Sequence, residues 1–235
     1  MRNKVKIGTV VMASGKSQRF GRDKLTFPLE GIPVLSRTLE TVLTVRREIS
    51  EEISLLKPLV VTRWQGVEDL CQAINEKGNR YVDRGVDREQ DEILCIRHQS
   101  PFRSDTIKEG LRFLSGQGFD ENFDYAGILF LVGDQPLLSV GSLQRLVETF
   151  SQDPEKICRI SYQGCPGNPV LFPWRFFGEL MELEGDQGGG KVLKRHRQEL
   201  KLVEADREEE LFDLDTPEDL IRIQEILNKN QIYSN

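Results

Sequence analysis

Short apolar runs alternate with amphipathic segments along the chain, and this alternation restricts its fold more than any other feature. Apolar, β-rich runs occupy residues 4–12, 59–62, 127–132, 157–162, 169–172 and 201–205. Segments with a helical apolar stripe or a helix-start signal occupy residues 32–43, 67–76, 104–114, 142–150, 189–197 and 217–228. Such an alternation predicts an α/β fold, with a mostly parallel sheet and helices on both of its faces. Residues 77–99 are charged and weakly patterned, so the sequence assigns them no element.

Nothing in the sequence divides the chain into separate units. We find no linker, no internal repeat and no low-complexity segment in its 235 residues. A chain of this length can bury one sizeable core. The sequence therefore predicts a single domain over residues 1–235.

The overall composition limits the class of partner and the compartment. With a net charge of −6, the chain has no global basic field to attract nucleic acid or an acidic membrane surface. No apolar run is long enough to span a bilayer, and Lys6 interrupts the apolar N-terminus, which favours a first strand over a signal peptide. The four cysteines form no CxxC pair and the two histidines have no ligand-like spacing. We expect a cytoplasmic protein with reduced thiols and no structural zinc site.

The loop at residues 13–24 is the first candidate ligand site. It follows the first predicted strand directly, and in parallel sheets ligands bind at the carboxyl ends of strands. Gly15 and Gly21 let the backbone turn tightly, backbone N–H groups in such a loop can face phosphate oxygens, and Arg19 and Lys24 add positive charge. The loop matches neither a Walker loop nor a dinucleotide fingerprint. On composition alone, a phosphate-binding loop and a solvated basic turn remain equal alternatives.

Asp134 stands where a strongly apolar predicted strand leaves the core, directly before Gln135-Pro136. A carboxylate at this place can bind Mg²⁺, which prefers oxygen ligands and keeps several waters. The alternative is an aspartate that only caps a turn or a helix. Because the acid follows a buried strand of an α/β chain, we favour the metal site.

Other acidic and hydroxyl residues allow both structural and functional interpretations. Alternation places Asp213 and Asp215 on one face, where either could lie near a metal, while Thr216 is suited to cap the helix that Pro217 opens. Asp186 lies in a glycine-rich loop that could close over a substrate. Ser104 is a candidate helix N-cap.

Several segments together resemble one known family. The run MASGKSQRFGRDKLTFPLEGIPVLSRTLE is similar to the nucleotidyltransferase signature AAGxSxRMGxxKLLxPLxGxPLLxRxL, and within that group to the molybdenum cofactor cytidylyltransferases. GDQPLLS, GNPVLF, LEGDQGGGKVL and LFDLDTPEDL follow in the family's order. The resemblance implies a Rossmann-like nucleotidyltransferase domain of the glycosyltransferase-A type.

The resemblance also implies roles for particular residues. The residues that it assigns to the nucleotide are Ala13, Ser14, Gly15, Ser17, Arg19, Lys24 and Thr106, the last near the nucleobase. Arg19, Lys24 and Asp134 would be catalytic, and Asp134 with Asp215 would hold Mg²⁺. Asn168, Asp186 and Lys191 would contact the acceptor, although Asn168 replaces a histidine and Lys191 lies one position beyond the family's arginine.

The resemblance further implies a substrate and a reaction. Ser14-Gly15 lacks the Gly-Gly doublet of the guanylyltransferase branch, and Gln135-Pro136-Leu137 resembles the cytidylyl branch, which favours CTP over GTP. The expected reaction transfers a cytidylyl group to molybdopterin. Two alternatives remain open. One is a nucleotidyltransferase for a sugar or polyol phosphate, and the other is a non-catalytic nucleotide-binding protein that delivers cofactor to a molybdenum hydroxylase.

Overall fold

A computed structural model describes residues 4–15, 20, 23–78, 92–116 and 125–232. Within these residues, eight strands form one sheet and two more form a small hairpin. The strands are β1 (Val5–Ala13), β2 (Pro28–Leu29), β3 (Ile32–Pro33), β4 (Ile53–Leu55), β5 (Leu59–Thr62), β6 (Leu94–Arg97), β7 (Tyr125–Val132), β8 (Ile157–Tyr162), β9 (Cys165–Pro173) and β10 (Leu200–Glu204).

Seven α-helices accompany these strands in the described part of the chain. They are α1 (Val34–Glu48), α2 (Gln65–Gly78), α3 (Arg103–Gly116), α4 (Val140–Gln152), α5 (Phe177–Met181), α6 (Gly190–Arg195) and α7 (Pro217–Ile232). None of the helices that the structure describes is long and apolar enough to cross a membrane.

The strand order places β1 and β7 in the middle of the large sheet. The order is β10-β8-β9-β7-β1-β5-β6, and β4 pairs with the first residues of β1 ahead of β5. β7, β5 and β4 all run parallel to β1, whereas β9 runs antiparallel to both of its neighbours. The carboxyl ends of β1, β5, β6 and β7 therefore meet at one edge of the sheet, where parallel α/β sheets bind ligands.

Two apolar clusters fill the space between the sheet and its helices. One joins alternate β1 and β7 residues, such as Val11 and Leu131, to buried side chains of α1, α2 and α4. The other joins the intervening residues, such as Val10 and Phe130, to buried side chains of α3, α5 and α6. Since neighbouring residues of a strand face opposite sides, both faces are covered. The predicted α/β fold with a mostly parallel sheet is confirmed.

Two details differ from the sequence-based expectations. The unassigned segment 77–99 contains β6, an edge strand whose side chains are all at least partly exposed, so it lacks a buried apolar pattern. Ser104 is not an N-cap, because α3 already begins at Arg103 and the buried Ser104 hydroxyl has no hydrogen-bond partner. Ser100 lies shortly before the helix, and its hydroxyl accepts a hydrogen bond from the Phe102 N–H at 3.3 Å.

Gly127 in β7 has no room for a side chain. A Cβ atom there would collide with the Phe150 ring and lie 2.6 Å from the Phe172 carbonyl oxygen. We expect Gly127→Ala to lower the free energy of unfolding by about 3 kcal/mol, because overpacking forces the backbone of the sheet to shift. Urea denaturation measures this loss. Gly178→Ala in α5 is the control, since nothing lies within 4 Å of its Cβ position. An equal loss in both variants would contradict the packing explanation.

Candidate functional site

A cleft of about 760 Å³ opens at the carboxyl ends of β1 and β7. Residues just beyond these two strands form its floor, among them Ser14, Gly15 and Asp134. One side is built from the segment that leads into α3, and the other from β8, β9 and the glycine-rich turn before α6. A cleft of this volume at this edge of the sheet is a suitable size for a small-molecule site.

A lysine held between two carboxylates lies on the floor of the cleft. Lys24 Nζ donates to Asp134 Oδ2 at 2.5 Å and to Asp215 Oδ1 at 2.7 Å. The Lys24 side chain is 7% exposed, compared with 20% for Asp134 and 47% for Asp215. Burial lowers the pKa of Lys24, but the charges and hydrogen bonds of Asp134 and Asp215 outweigh it and leave the pKa above its usual value. Lys24 is therefore a fixed ammonium group.

Local hydrogen bonds position this lysine. Asp23 Oδ1 accepts from the Leu25 N–H at 3.1 Å, and Asp23 Oδ2 accepts from the Thr26 hydroxyl at 2.9 Å. The Leu25 carbonyl accepts from the Leu35 N–H at the start of α1, and the Leu25 side chain is buried. The chain on the C-terminal side of Lys24 is thus tied to α1.

The carboxylates of the cleft come from two segments. Asp134 lies just after β7, and Asp213 and Asp215 lie just before α7. The Gly133 N–H donates to the Met12 carbonyl of β1 at 3.0 Å, and the Leu214 N–H donates to the Asp134 carbonyl at 2.9 Å. The second bond places Asp213 and Asp215 beside Asp134, and all three line the cleft. Thr216 accepts from the Asp219 N–H at 3.2 Å, which confirms it as the cap of α7.

Asp213 is the third carboxylate in this part of the cleft. Desolvation in the cleft and the negative charges of Asp134 and Asp215 raise its pKa to about 6, although part of its side chain is exposed. Asp134, Asp213 and Asp215 all line this part of the cleft, so negative charge is crowded here and is only partly offset by Lys24. A cation brought by a ligand would relieve this crowding.

The donor set can hold a divalent cation that takes further ligands from phosphate groups or water. The described residues contain no group of three or more metal-ligand side chains arranged as a ready cage. The carboxylate oxygens of Asp134 and Asp215 both contact Lys24 Nζ, so they lie no more than about 5 Å apart. Mg²⁺ is commonly bound by one or two carboxylates together with substrate phosphates and waters. Asp134 and Asp215 match that mode of binding.

Two side chains, one in β5 and one just after it, bind the first residues of the loop after β1. The Thr62 hydroxyl donates to the Ala13 carbonyl at 2.9 Å, and the Trp64 indole N–H donates to the Gly15 carbonyl at 2.9 Å. The Ala13 side chain is buried in the core, whereas Gly15 is exposed and lines the cleft. The Trp64 indole thus fixes the backbone of this loop.

Ser14 meets a histidine and a threonine at the side of the cleft next to α3. The Ser14 hydroxyl donates to the Val61 carbonyl at 3.0 Å and lies 2.8 Å from His98 Nε2. His98 Nε2 also lies 3.3 Å from the Thr106 hydroxyl oxygen. Ser14 and Thr106 line the cleft, whereas His98, the residue directly after β6, does not. Burial lowers the pKa of His98.

The opposite side of the cleft carries both polar and apolar groups. Asn168 on β9 and Asp186 in the glycine-rich turn line it, and both belong to the residues that the resemblance assigns to the acceptor. Arg159 on β8 lines it too, and its Nε donates to the Gly167 carbonyl at 2.6 Å. Burial lowers the pKa of Arg159, but a guanidinium stays protonated in proteins. Phe172 supplies a neighbouring apolar surface.

The structure brings together most, but not all, of the predicted site residues. Those that line the cleft are Ser14, Gly15, Lys24, Thr106, Asp134, Asn168, Asp186 and Asp215. Two predicted residues do not line it: the Ala13 side chain is buried in the core, and Lys191 Nζ donates to Gln187 Oε1 at 2.8 Å. Ser17 and Arg19 lie outside the described residues.

Sequence reasoning missed two residues of this region. Arg159 is the one charged residue of the predicted strand 157–162, and since a charged side chain is rarely fully buried without a partner, this position could have been singled out. His98 carried no such signal, because its partners Ser14 and Thr106 belong to other elements and no motif connects the three residues.

Known proteins resemble the chain in both sequence and structure. The purine catabolism protein PucB of Bacillus subtilis is 30% identical over 231 residues, covering 94% of this chain and 98% of that protein. A nucleotidyl transferase from Methanothermobacter has a similar structure, with a TM-score of 0.69 at 20% identity, covering 95% of this chain and 98% of the other. Rv0371c from Mycobacterium tuberculosis, solved in complex with manganese, has a TM-score of 0.64 at 20% identity, covering 94% and 99%.

The structural likenesses show an α/β nucleotidyltransferase fold. The sequence match goes further, because the model of the MobA-like NTP transferase domain matches residues 9–200. That range contains most of β1 and both sides of the cleft. This chain belongs to the nucleotidyltransferase family of the MobA-like NTP transferase domain.

Proposed function

We propose that the chain transfers the cytidylyl group of CTP to a phosphorylated acceptor, and that this acceptor is molybdopterin. The observation that carries the transfer is the Lys24 ammonium, fixed between Asp134 and Asp215 on the floor of the cleft. A buried cation beside carboxylates that can hold Mg²⁺ suits the negative charge of a triphosphate undergoing substitution.

The reaction needs positioning more than proton transfer. An oxygen of the acceptor phosphate attacks the α-phosphorus of CTP, a new P–O bond forms, and the bond to the β-phosphate oxygen breaks to release pyrophosphate. The attacking oxygen is already anionic near neutral pH, so no side chain has to remove a proton. Lys24 neutralises charge that develops on the phosphoryl oxygens, and the two sides of the cleft hold the reactants in line.

Asp134 and Asp215 would hold Mg²⁺ in this scheme. When bound, the ion would stabilise negative charge on the phosphates during transfer. The manganese complex of Rv0371c from Mycobacterium tuberculosis supports a divalent metal in this fold. Magnesium itself is proposed because Asp134 and Asp215 both contact Lys24 Nζ, at 2.5 and 2.7 Å, and so offer two carboxylates close to each other.

The choice of CTP is supported by the loop after β1. Ser14-Gly15 lacks the glycine doublet that the guanylyl branch carries, and the Ser14 side chain occupies space next to His98. Gln135-Pro136-Leu137 supports the same branch by resemblance.

The choice of molybdopterin rests on the resemblance and on the second side of the cleft. Arg159 and Asn168 supply donors for a phosphate, and Phe172 supplies an apolar surface for the rest of the molecule. The name of the Bacillus subtilis relative indicates purine catabolism. A molybdenum hydroxylase that acts on purines would fit this setting as the protein that receives the product.

A pyrophosphate-release assay with the four nucleoside triphosphates, each with and without molybdopterin, tests the proposal. We expect release only with molybdopterin, and at least about tenfold faster with CTP than with GTP. Release with a sugar or polyol phosphate instead would overturn the acceptor. Faster release with GTP would overturn the nucleotide. Binding of CTP without release, with molybdopterin and the phosphate esters alike, would favour the non-catalytic accessory protein.

A further inference from the structure

We propose that Cys71 and Cys95 form a reversible disulfide when a hydroperoxide oxidises the chain, which makes this pair a modification site. Both thiols are free in the structure. The pair lies between α2 and β6, the strand at one end of the large sheet. Neither Cys71 nor Cys95 lines the cleft, so the proposal does not depend on the proposed transfer.

The helix and the strand place the two cysteines on facing surfaces. In α2, Cys71 lies one turn after Val67, and both side chains are buried in the same apolar cluster. In β6, Cys95 packs against that cluster, whereas Leu94 and Ile96 pack against the cluster on the opposite face of the sheet. Since neighbouring residues of a strand face opposite sides, the Cys95 side chain lies on the face that α2 covers.

A pair of hydrogen bonds fixes the position of α2 along β6. The Asn75 side-chain amide donates to the Ile93 carbonyl at 2.9 Å, and the Asn75 amide oxygen accepts from the Ile93 N–H at 3.0 Å. Because α2 connects the parallel strands β5 and β6, it runs antiparallel to them. Cys71 lies four residues before Asn75, about 6 Å along the helix, and Cys95 lies two residues after Ile93, about 7 Å along the strand. The two cysteines are therefore opposite each other.

The two thiols form a hydrogen bond, but their surroundings differ. Cys71 is only 1% exposed, whereas Cys95 is partly exposed. The hydrogen bond with Cys71 lowers the pKa of Cys95, although burial and the charge of Glu68 oppose this effect. The same hydrogen bond and burial raise the pKa of Cys71. Cys95 is therefore the thiol that an oxidant reaches as a thiolate, and Cys71 is the protected thiol next to it.

The oxidation takes two balanced steps, written here for hydrogen peroxide. The Cys95 thiolate attacks one peroxide oxygen, the O–O bond breaks, and a Cys95 sulfenic acid and one water form once the thiol proton is included. Cys71 Sγ then attacks Cys95 Sγ, the S–O bond breaks, and the disulfide forms with release of a second water. The pair loses two electrons and two protons to the peroxide. A dithiol reductant reverses the change by thiol–disulfide exchange.

The position of β6 in the sheet allows the short approach that the new bond requires. An S–S bond is about 2 Å long, which is shorter than a hydrogen bond between two thiols. β6 is the last strand in the order, so in the described part of the sheet its backbone pairs only with β5. A small shift of β6 toward α2 therefore disrupts no second ladder of hydrogen bonds.

Mass spectrometry of the full chain tests the proposal. The reduced protein is treated with hydrogen peroxide, catalase removes the excess, and the remaining thiols are alkylated in denaturant with N-ethylmaleimide. We expect a peptide that joins Cys71 to Cys95, with the loss of two alkylatable thiols and of the mass of two hydrogen atoms, all reversed by dithiothreitol. Four alkylatable thiols after treatment, or oxygen added at either cysteine without a linked peptide, would overturn the proposal.

Single substitutions test the roles of the two thiols. In Cys71→Ala, we expect a Cys95 sulfenic acid that dimedone traps, because no neighbouring thiol remains to displace its oxygen. In Cys95→Ser, Cys71 should stay reduced, because it is buried. Dimedone on Cys71 in the second variant, with none on Cys95 in the first, would contradict these roles.

Cys165→Ser is the matched control, because Cys165 is exposed and lies in β9, away from both α2 and β6. The linked peptide of Cys71 and Cys95 should form in this variant to the same extent as in the wild type. A wild-type disulfide through Cys165 in place of that peptide would show that exposure alone selects the thiol, and the proposal would be wrong.

Discussion

Asp134→Asn is expected to lower nucleotidyl transfer about a thousandfold while the chain stays folded. The substitution removes the less exposed of the two carboxylates that contact Lys24 and leaves Asp215 in place. An amide oxygen is a weaker ligand for Mg²⁺ than a carboxylate, and loss of one charge-stabilising group can cost on the order of 10²–10³ in rate. Rates of pyrophosphate release, measured over a wide range of Mg²⁺ concentration, give the comparison with the wild type.

The same measurement needs a control for the loss of charge alone. Asp206→Asn removes an exposed carboxylate that pairs with Arg145 at 2.6 Å on the surface. Such surface pairs contribute little, so both rate and unfolding free energy should stay close to wild type. If Asp134→Asn kept the wild-type rate at low Mg²⁺, Asp134 would not be the metal ligand.

Several strands inside the sheet were predicted closely from the sequence. The predicted strands at 59–62 and 157–162 have the bounds of β5 and β8, and the first strand is shifted by one residue. These strands lie inside the sheet with helices on its faces, so continuous apolar runs with β-branched residues reveal them. The direction of β9 was not predictable in this way, because an antiparallel strand in a mostly parallel sheet has the same local pattern.

The shortest elements of the fold were less visible in the sequence. β4 has three residues and joins only the start of β1, so it is too short to show a period. The hairpin of β2 and β3 has two residues in each strand. Its turn is formed by Glu30 and Gly31, both at positive φ, and this turn carried no flanking alternation to mark it.

Single residues of the candidate site could be predicted from local motifs, but the contacts between them could not. Asp134 and Lys24 belong to motifs that each follow a single strand. Their contact at 2.5 Å joins residues 110 positions apart, which no local pattern contains. His98 contacts Ser14 across 84 positions, and this contact became visible only when β6 was placed beside β5 at the edge of the sheet.

Lys24→Ala is expected to lower turnover about a hundredfold and to weaken CTP binding less than about tenfold. Lys24 is fixed between two carboxylates before any ligand binds, so it is ready to neutralise charge as it develops on the phosphoryl oxygens. Only interactions that strengthen in the transition state raise the chemical rate. A lost contact of this kind costs on the order of 3 kcal/mol in the barrier. Single-turnover rates and calorimetric CTP affinity, measured on the same samples, give the two losses.

Metal binding distinguishes the role of this lysine from damage to the site. Removing the ammonium leaves Asp134, Asp213 and Asp215 without the cation that lies between two of them. Mn²⁺ affinity in the absence of nucleotide should therefore stay equal or rise in Lys24→Ala, even though turnover falls. Lys24→Met should behave alike, since its unbranched apolar side chain fills much of the buried space. Lys57→Ala is the control, because Lys57 pairs with exposed Glu92 on the surface.

The outcome also separates an enzyme from a binding protein. A protein that only holds CTP needs Lys24 in the ground state, so affinity and any residual rate would fall by the same factor. Equal losses would thus contradict a catalytic Lys24, whereas a rate loss that exceeds the affinity loss by about tenfold or more requires charge to build up next to its ammonium group during transfer.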